Sequence, residues 1–217
     1  MKILVIVLSF KDSGIYEKLE FTARETWNKD EVDNVETIFF YGGHSQNELI
    51  GDRLYLASPE GLSNLGHKVI SAFEFLLENM RFDFIFKINL SAYLNKSLLK
   101  EICSSMEQKN IYSGFLGDFG DTVFTSGAGT LLSKDVVQFI VENKNDWQHN
   151  YMEDVSMGML IKKKNITPIA LPRVSIVNGI NREQINTKCF HYRCKNENNR
   201  DLDILIMKEL HNIYGNK

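Results

Sequence analysis

Apolar residues follow two rhythms along this chain. Compact, mostly apolar runs occur at "ILVIVLS", "VETIFFYGG" and "FDFIFKIN". Runs of that length read as buried strands, apolar on both faces as in a parallel sheet. "RLYLAS" adds a short third strand between the second and fourth. Elsewhere apolar residues recur every three or four positions. "IYEKLEFTARETW" reads as a helix carrying Leu19, Ala23 and Trp27 on its inner side. "NLGHKVISAFEFLLENM" puts Leu65, Val69, Phe73, Leu76, Leu77 and Met80 on one helical face, with Ser63 in position to cap it.

The second half continues the alternation. "KSLLKEICSSMEQ" predicts a helix, "NIYSGFLGD" a strand, and "VFTSGAGTLLS" leads into a helix at "KDVVQFIVEN". "EDVSMGMLIKKKN" predicts a further helix with Lys162, Lys163 and Lys164 at its favourable carboxyl end. "TPIALP" and "CFHYRCK" read as extended, and "RDLDILIMKELHNIY" as a closing helix. Strands alternating with helices define an α/β fold whose sheet is mainly parallel in its first half and flanked by helices. No repeat or linker divides the chain.

Composition narrows the class. At 217 residues, 43% hydrophobic and 24% charged, the chain suits one soluble domain with a sizeable core. A net charge of −3 argues against a nucleic-acid binder working through a broad basic surface. Cys103, Cys189 and Cys194 form no close pair, which fits a reducing compartment rather than a disulfide framework. No run approaches a membrane span of about 18 apolar residues. "MKILVIVLSF" lacks a small-residue cleavage site and reads as a first strand, not a leader.

Five stretches carry candidate chemistry. "FDFIFKINLSAYLN" is a strand that empties into a polar loop at Lys87, Asn89 and Ser91, the place where open α/β sheets bind ligands. In "TSGAGTLLS", Gly127 and Gly129 bracket Ala128 and let backbone approach a ligand, although a bare turn accounts for them as well. Neither phosphate-loop fingerprint is present. "YMEDVSMGML" sets Glu153 and Asp154 at a helix start. Acids there complement the helix dipole, and Asp154 is also a natural general base. In "CFHYRCK", strand alternation puts His191, Arg193 and Lys195 on one face, a row of potential cations suited to a pyrophosphate or simply to solvent. Arg24, in "ARETW", sits one turn from Glu20, so a surface ion pair is its plain reading.

Taken in order, these pieces resemble the beta-1,3-galactosyltransferase/Fringe family of glycosyltransferases. "ARETW" resembles its Arg-x-Thr-Trp motif. "FIFKINLSAYLN" resembles its strand, Lys-x-Asp-Asp-Asp and later Asn, with Lys87 and Asn95 matching. "TSGAGTLLS", "EDVSMG" and "FHYRC" resemble its Ser-Gly-x-Gly, Glu-Asp-Val and late Phe-His segments. The resemblance implies a GT-A fold, with a nucleotide-binding half over about 1–95 and an acceptor and base half over about 96–217. It implies inverting transfer from a nucleotide sugar, such as UDP-galactose or UDP-N-acetylglucosamine, to a sugar hydroxyl. Asp154 then takes the base role with Glu153 supporting it. Arg24, Lys87, Asn89, Ser91, Gly127, Gly129, His191, Arg193 and Lys195 take the donor. The family's metal, manganese or magnesium, needs three acids that are Asn89, Leu90 and Ser91 here. No protein metal ligand is assigned, and fixed cations, Arg193 and Lys195 foremost, are expected in its place. The setting implied is cytoplasmic surface-glycan synthesis on a glycan or lipid-linked glycan acceptor, with peripheral membrane association. A catalytically degenerate relative that only binds nucleotide sugars or glycans is the alternative, and the retained Asp154 argues against it. A nucleotide-binding regulatory module has less support, having no phosphate loop.

Overall fold

The computed structural model describes residues 1–10, 14–177, 179–180, 185 and 189–215. Strand β1 (Ile3–Leu8) is central. Its side chains are buried on both faces and divide by alternation: Ile3, Val5 and Val7 enter one core, and Leu4, Ile6 and Leu8 the other. Helix α1 (Ile15–Glu25) leads to β2 (Val35–Tyr41), then to β3 (Glu48–Ile50) and β4 (Arg53–Tyr55). Helix α2 (Leu65–Asn79) crosses to β5 (Phe84–Asn89). β1 lies parallel to both β2 and β5, and β2 parallel to β4, as the apolar runs require.

After β5 come β6 (Ala92–Leu94), α3 (Lys96–Ser104) and the antiparallel pair β7 (Tyr112–Phe119) and β8 (Thr122–Ser133). Next are α4 (Lys134–Glu142), α5 (Glu153–Lys162), β9 (Ile169–Ala170), β10 (Val174–Ser175), β11 (His191–Arg193) and α6 (Asp201–Tyr214). The large sheet has the order β3-β4-β2-β1-β5-β8-β7-β9, and a small sheet has the order β10-β11-β6. One core packs α1, α3 and α6 against the large sheet, and the other packs α2, α4 and α5. Both halves of the chain share the large sheet, because β8 pairs antiparallel with β5.

Two expectations need correction, and one strand went unread. Ser63 does not cap α2: it lies in a short 3-10 turn, and Asn64 is the N-cap, without a side-chain cap bond. Gly127 and Gly129 sit at no turn before a helix but inside the twelve-residue strand β8. The edge strand β3 was not foreseen, since "ELI" is too short to show a period. Trp27 is core as expected, and the three cysteines are buried and free. Lys162, Lys163 and Lys164 pair with Asp121, Asp146 and Asp135 at the surface. No helix among the described residues is long and apolar enough to cross a membrane.

Candidate active site

A cleft of about 730 Å³ opens at the carboxyl ends of β1 and β5. Leu8 and Asn89 mark the strand ends, Ser126 to Ala128 come from β8, Asp154 from α5, and Arg193 from β11. The cleft falls between β1, whose outgoing helix α1 lies on one face of the sheet, and β5, whose incoming helix α2 lies on the other, the usual ligand position in such folds.

Asp154 is half-buried in this cleft at the first turn of α5. Its Oδ2 accepts from the Gly127 backbone N–H at 2.8 Å, and its Oδ1 from the Val155 N–H at 3.0 Å. Two backbone donors fix the carboxylate, and each oxygen keeps a lone pair for a hydroxyl. Gly127 is what allows this approach: a Cβ there would lie 3.1 Å from Glu153 Oε2 and 3.3 Å from Asp154 Oδ2.

Glu153 points the other way, into the protein. Its Oε2 meets Lys87 Nζ at 3.1 Å, with side-chain exposures of 6% and 1%. Lys87 also donates to the Gly127 carbonyl at 3.1 Å. Lys87 is therefore occupied as a strut between β5, β8 and α5. Burial holds the Glu153 carboxyl above the usual carboxylate range, opposed by the nearby lysine.

The polar loop after β5 is also tied internally. Asn89 Oδ1 accepts from Ser91 N–H at 3.1 Å. Ser91 Oγ donates to Asp203 Oδ2 at 3.1 Å and accepts from Arg200 Nη2 at 2.6 Å. Arg200 Nε donates to the same Asp203 oxygen at 2.7 Å. Asp203 is fully buried and also takes the Asn196 N–H. A divalent cation at this place, which the resemblance implies, binds through several oxygens, mainly those of carboxylates. Asn89 and Ser91 offer none, Leu90 is buried, and Asp203 is already saturated by a guanidinium, a hydroxyl and an amide. Among the described residues no group of three or more His, Cys, Asp or Glu is placed to hold a metal ion. The donor set at this strand end does not fit one.

The row of residues on β11 divides. His191 is buried at 2% exposure, edge-on to Phe86, and seated against Gly129, where a Cβ would come within 2.6 Å of its Nδ1. Gly129 thus serves this packing. Burial, with the neighbouring Arg173 and Arg193 adding to it, pushes the imidazole down to about 3, so His191 is neutral and is not one of three cations. Arg193 does line the cleft. Lys195 lines it too but is paired with Glu197 at 2.9 Å. Arg24 lies elsewhere, in a second cavity of about 710 Å³ that shares Phe10 with the first. Its Nε donates to Glu20 at 3.0 Å and its two terminal nitrogens to Asp52, over the face of Phe39. Sequence reasoning did not single out Ser126, Arg173 or Arg200. Ser126 stood inside a quoted motif; Arg173 directly follows "TPIALP" and Arg200 opens the closing-helix stretch, both read only for secondary structure.

The depressed His191 value gives a first prediction. A folded-state histidine that resists protonation makes the unfolded chain the better proton acceptor between about 6.5 and about 3. Stability then rises with pH through that window and falls as pH drops through it. His191→Leu should flatten the acid limb in urea denaturation run from pH 7 to pH 4. An unchanged slope would show that His191 is not the group responsible.

No sequence-family model matches the chain, and no curated protein matches it significantly. Solved structures do match in shape. A glycosyltransferase involved in glycosylation of the major capsid of PBCV-1 gives a TM-score of 0.58 at 12% identity, over 96% of this chain and 100% of that one. The galactosyltransferase LgtC, solved with donor and acceptor sugar analogues, gives 0.51 at 8% identity, over 99% and 97%. The mannosyltransferase PcManGT of Pyrobaculum calidifontis, bound to GDP-Man and Mn2+, gives 0.50 at 11% identity, over 79% and 55%. At such identities the likeness is one of fold. The chain has the GT-A nucleotide-sugar-binding fold, a large central sheet between helices with its cleft at the strand ends.

Proposed function

We propose that this protein is an inverting glycosyltransferase that moves a hexose from a nucleotide sugar to a sugar hydroxyl, with Asp154 as general base. The observation that carries the reading is the Asp154 carboxylate, held in the cleft by two backbone N–H groups at the strand end where this fold binds nucleotide sugars. An acceptor hydroxyl beside Asp154 gives up its proton as its oxygen attacks the donor's anomeric carbon. The bond from that carbon to the diphosphate oxygen breaks, and the electron pair leaves with the diphosphate. The finer resemblance, to the beta-1,3-galactosyltransferase/Fringe family, rests on five motifs in sequence order, and it favours a UDP-linked donor. On this reading the second cavity, reached past Phe10 and lined by Arg24 and Tyr41, takes the nucleoside end. Asn89, Ser91 and the backbone at Gly127 face the donor, while Lys87, Gly129 and His191 support the site from behind. A glycan or lipid-linked glycan acceptor, a cytoplasmic setting and peripheral attachment to a membrane belong to the same reading.

The test is a nucleotide panel read by melting temperature, because a ligand of the native state raises it. UDP and UDP-hexoses should raise the midpoint in a concentration-dependent way, and UDP-hexoses should be slowly hydrolysed. Stabilisation by purine nucleotides alone would overturn the donor class. Stabilisation by UDP-hexoses with no turnover on any glycan acceptor would favour the degenerate, sugar-binding relative.

A further inference from the structure

Of the described arginines, Arg24, Arg173, Arg193 and Arg200 are partly enclosed and Arg53 is exposed, and they do not behave alike. Arg24, Arg53 and Arg200 each reach a carboxylate. Arg173 and Arg193 reach none among the described residues. Each leaves its Nε buried without a hydrogen-bond partner. They are also close enough to repel: Arg193, after burial, pulls the Arg173 guanidinium down to about 10, which still leaves it charged at neutral pH. Like charges that are partly desolvated and have no carboxylate beside them are costly unless an anion joins them.

Their surroundings fix where that anion sits. Ser126 and Arg193 line the cleft, while Arg173 lines a neighbouring cavity of about 450 Å³ with Phe115 and reaches the cleft wall through its Nη1, which donates to Ser126 Oγ at 2.8 Å. The next residue, Gly127, holds Asp154. Arg173 also rests 4.1 Å above the Phe115 ring. That contact offsets part of its burial, but it satisfies no N–H and accounts for nothing at Arg193. Beyond Ser126 lies the strand end whose residues do not suit a divalent cation.

We propose that Arg193 at the cleft and Arg173 behind Ser126 form a two-guanidinium anion site that takes the donor's diphosphate and so does the work of a metal ion. The inference rests on the glycosyltransferase reading for the identity of the anion. Two guanidinium forks can each give paired, charge-assisted hydrogen bonds to phosphate oxygens and neutralise the diphosphate as it departs. Lys195, already paired with Glu197, contributes less.

The experiment is calorimetric titration of the full chain at one ionic strength in excess EDTA, with inorganic pyrophosphate, UDP, uridine and D-glucuronate as probes. Arg173→Gln and Arg193→Gln are compared with Arg81→Gln, an exposed arginine ahead of β5 that makes the same charge change. Each site substitution should weaken pyrophosphate and UDP about tenfold or more, in line with the loss of charged hydrogen bonds. Uridine affinity and the far-ultraviolet circular dichroism should stay as they are, which a merely structural role would not give. Arg193→Lys should recover only part of the loss. If UDP fails to bind but pyrophosphate binds in an arginine-dependent way, the anion site stands and the donor reading falls. If UDP binds and neither substitution weakens it, the anion site falls and the donor reading stands. Loss confined to D-glucuronate assigns the arginines to an acidic acceptor sugar and overturns the diphosphate assignment. UDP binding that vanishes in EDTA and returns with manganese overturns the replacement of the metal.

Discussion

Asp154→Asn should lower sugar transfer by about a hundredfold or more, the usual scale for a lost general base, while leaving donor affinity within a factor of three. The substitution keeps the size of the side chain. Its amide oxygen can still accept the Gly127 N–H that positions Asp154 Oδ2. What it cannot do is take a proton from an acceptor hydroxyl. Because Asp154 stands beside the buried Glu153, a control is needed for damage to the start of α5: the variant's melting temperature with and without UDP should match that of the parent. Transfer that stays within threefold of the parent would remove Asp154 from the mechanism. Loss of donor binding along with transfer would make it a positioning residue instead.

The second large effect is on stability. Lys87→Met should cost about 3–5 kcal/mol, the range for removing one partner of a buried ion pair. Lys87 and Glu153 are 1% and 6% exposed, so water cannot take over from the missing ammonium group. Methionine fills the stem's volume, which leaves the stranded carboxylate as the main defect. The double change Lys87→Met with Glu153→Gln should recover most of the loss. The pH dependence follows from the direction of the Glu153 shift. Burial already raises this carboxyl above 4.5 in spite of the lysine, and removal of the lysine raises it further. A group whose folded-state value is raised contributes stability at pH below its unfolded value and loses it as pH climbs through the folded value. The deficit of Lys87→Met relative to the parent should thus be small near pH 4 and full at neutrality. Urea denaturation of both proteins at several pH values measures it; a deficit under about 1 kcal/mol at pH 7 would mean that the pair is not a strut.

The strands and helices were legible because their side chains answer to local rhythm. β1 alternates between two cores, and the sequence shows a run apolar on both faces. Asp154 was legible because an acid pair opening a helix is a local pattern. What escaped was set by partners far along the chain. Lys87 looked like a cation for a ligand, and only the fold brings it to Glu153, 66 residues later. The β11 alternation placed His191 and Arg193 on one face, yet nothing local says that His191 meets Gly129 and loses its charge while Arg193 reaches the cleft. "TSGAG" carries almost no strand propensity, and its strand conformation comes from pairing with β5 and β7. Arg173 and Arg200 escaped too, since whether a guanidinium finds a carboxylate, as Arg200 does at Asp203, or finds none, as at Arg173, is a property of three-dimensional surroundings.

The tether from Ser91 to Asp203 and Arg200 also bears on the order in which the protein is made. The two ends of that tether are 112 residues apart. A ribosome that has released the chain as far as Asn199 has delivered every strand of both sheets, but not the arginine and aspartate that fasten the loop after β5. The nascent chain can assemble its large sheet early while the mouth of the cleft stays unfastened. Completion of the cleft therefore coincides with docking of α6, the last element to be made.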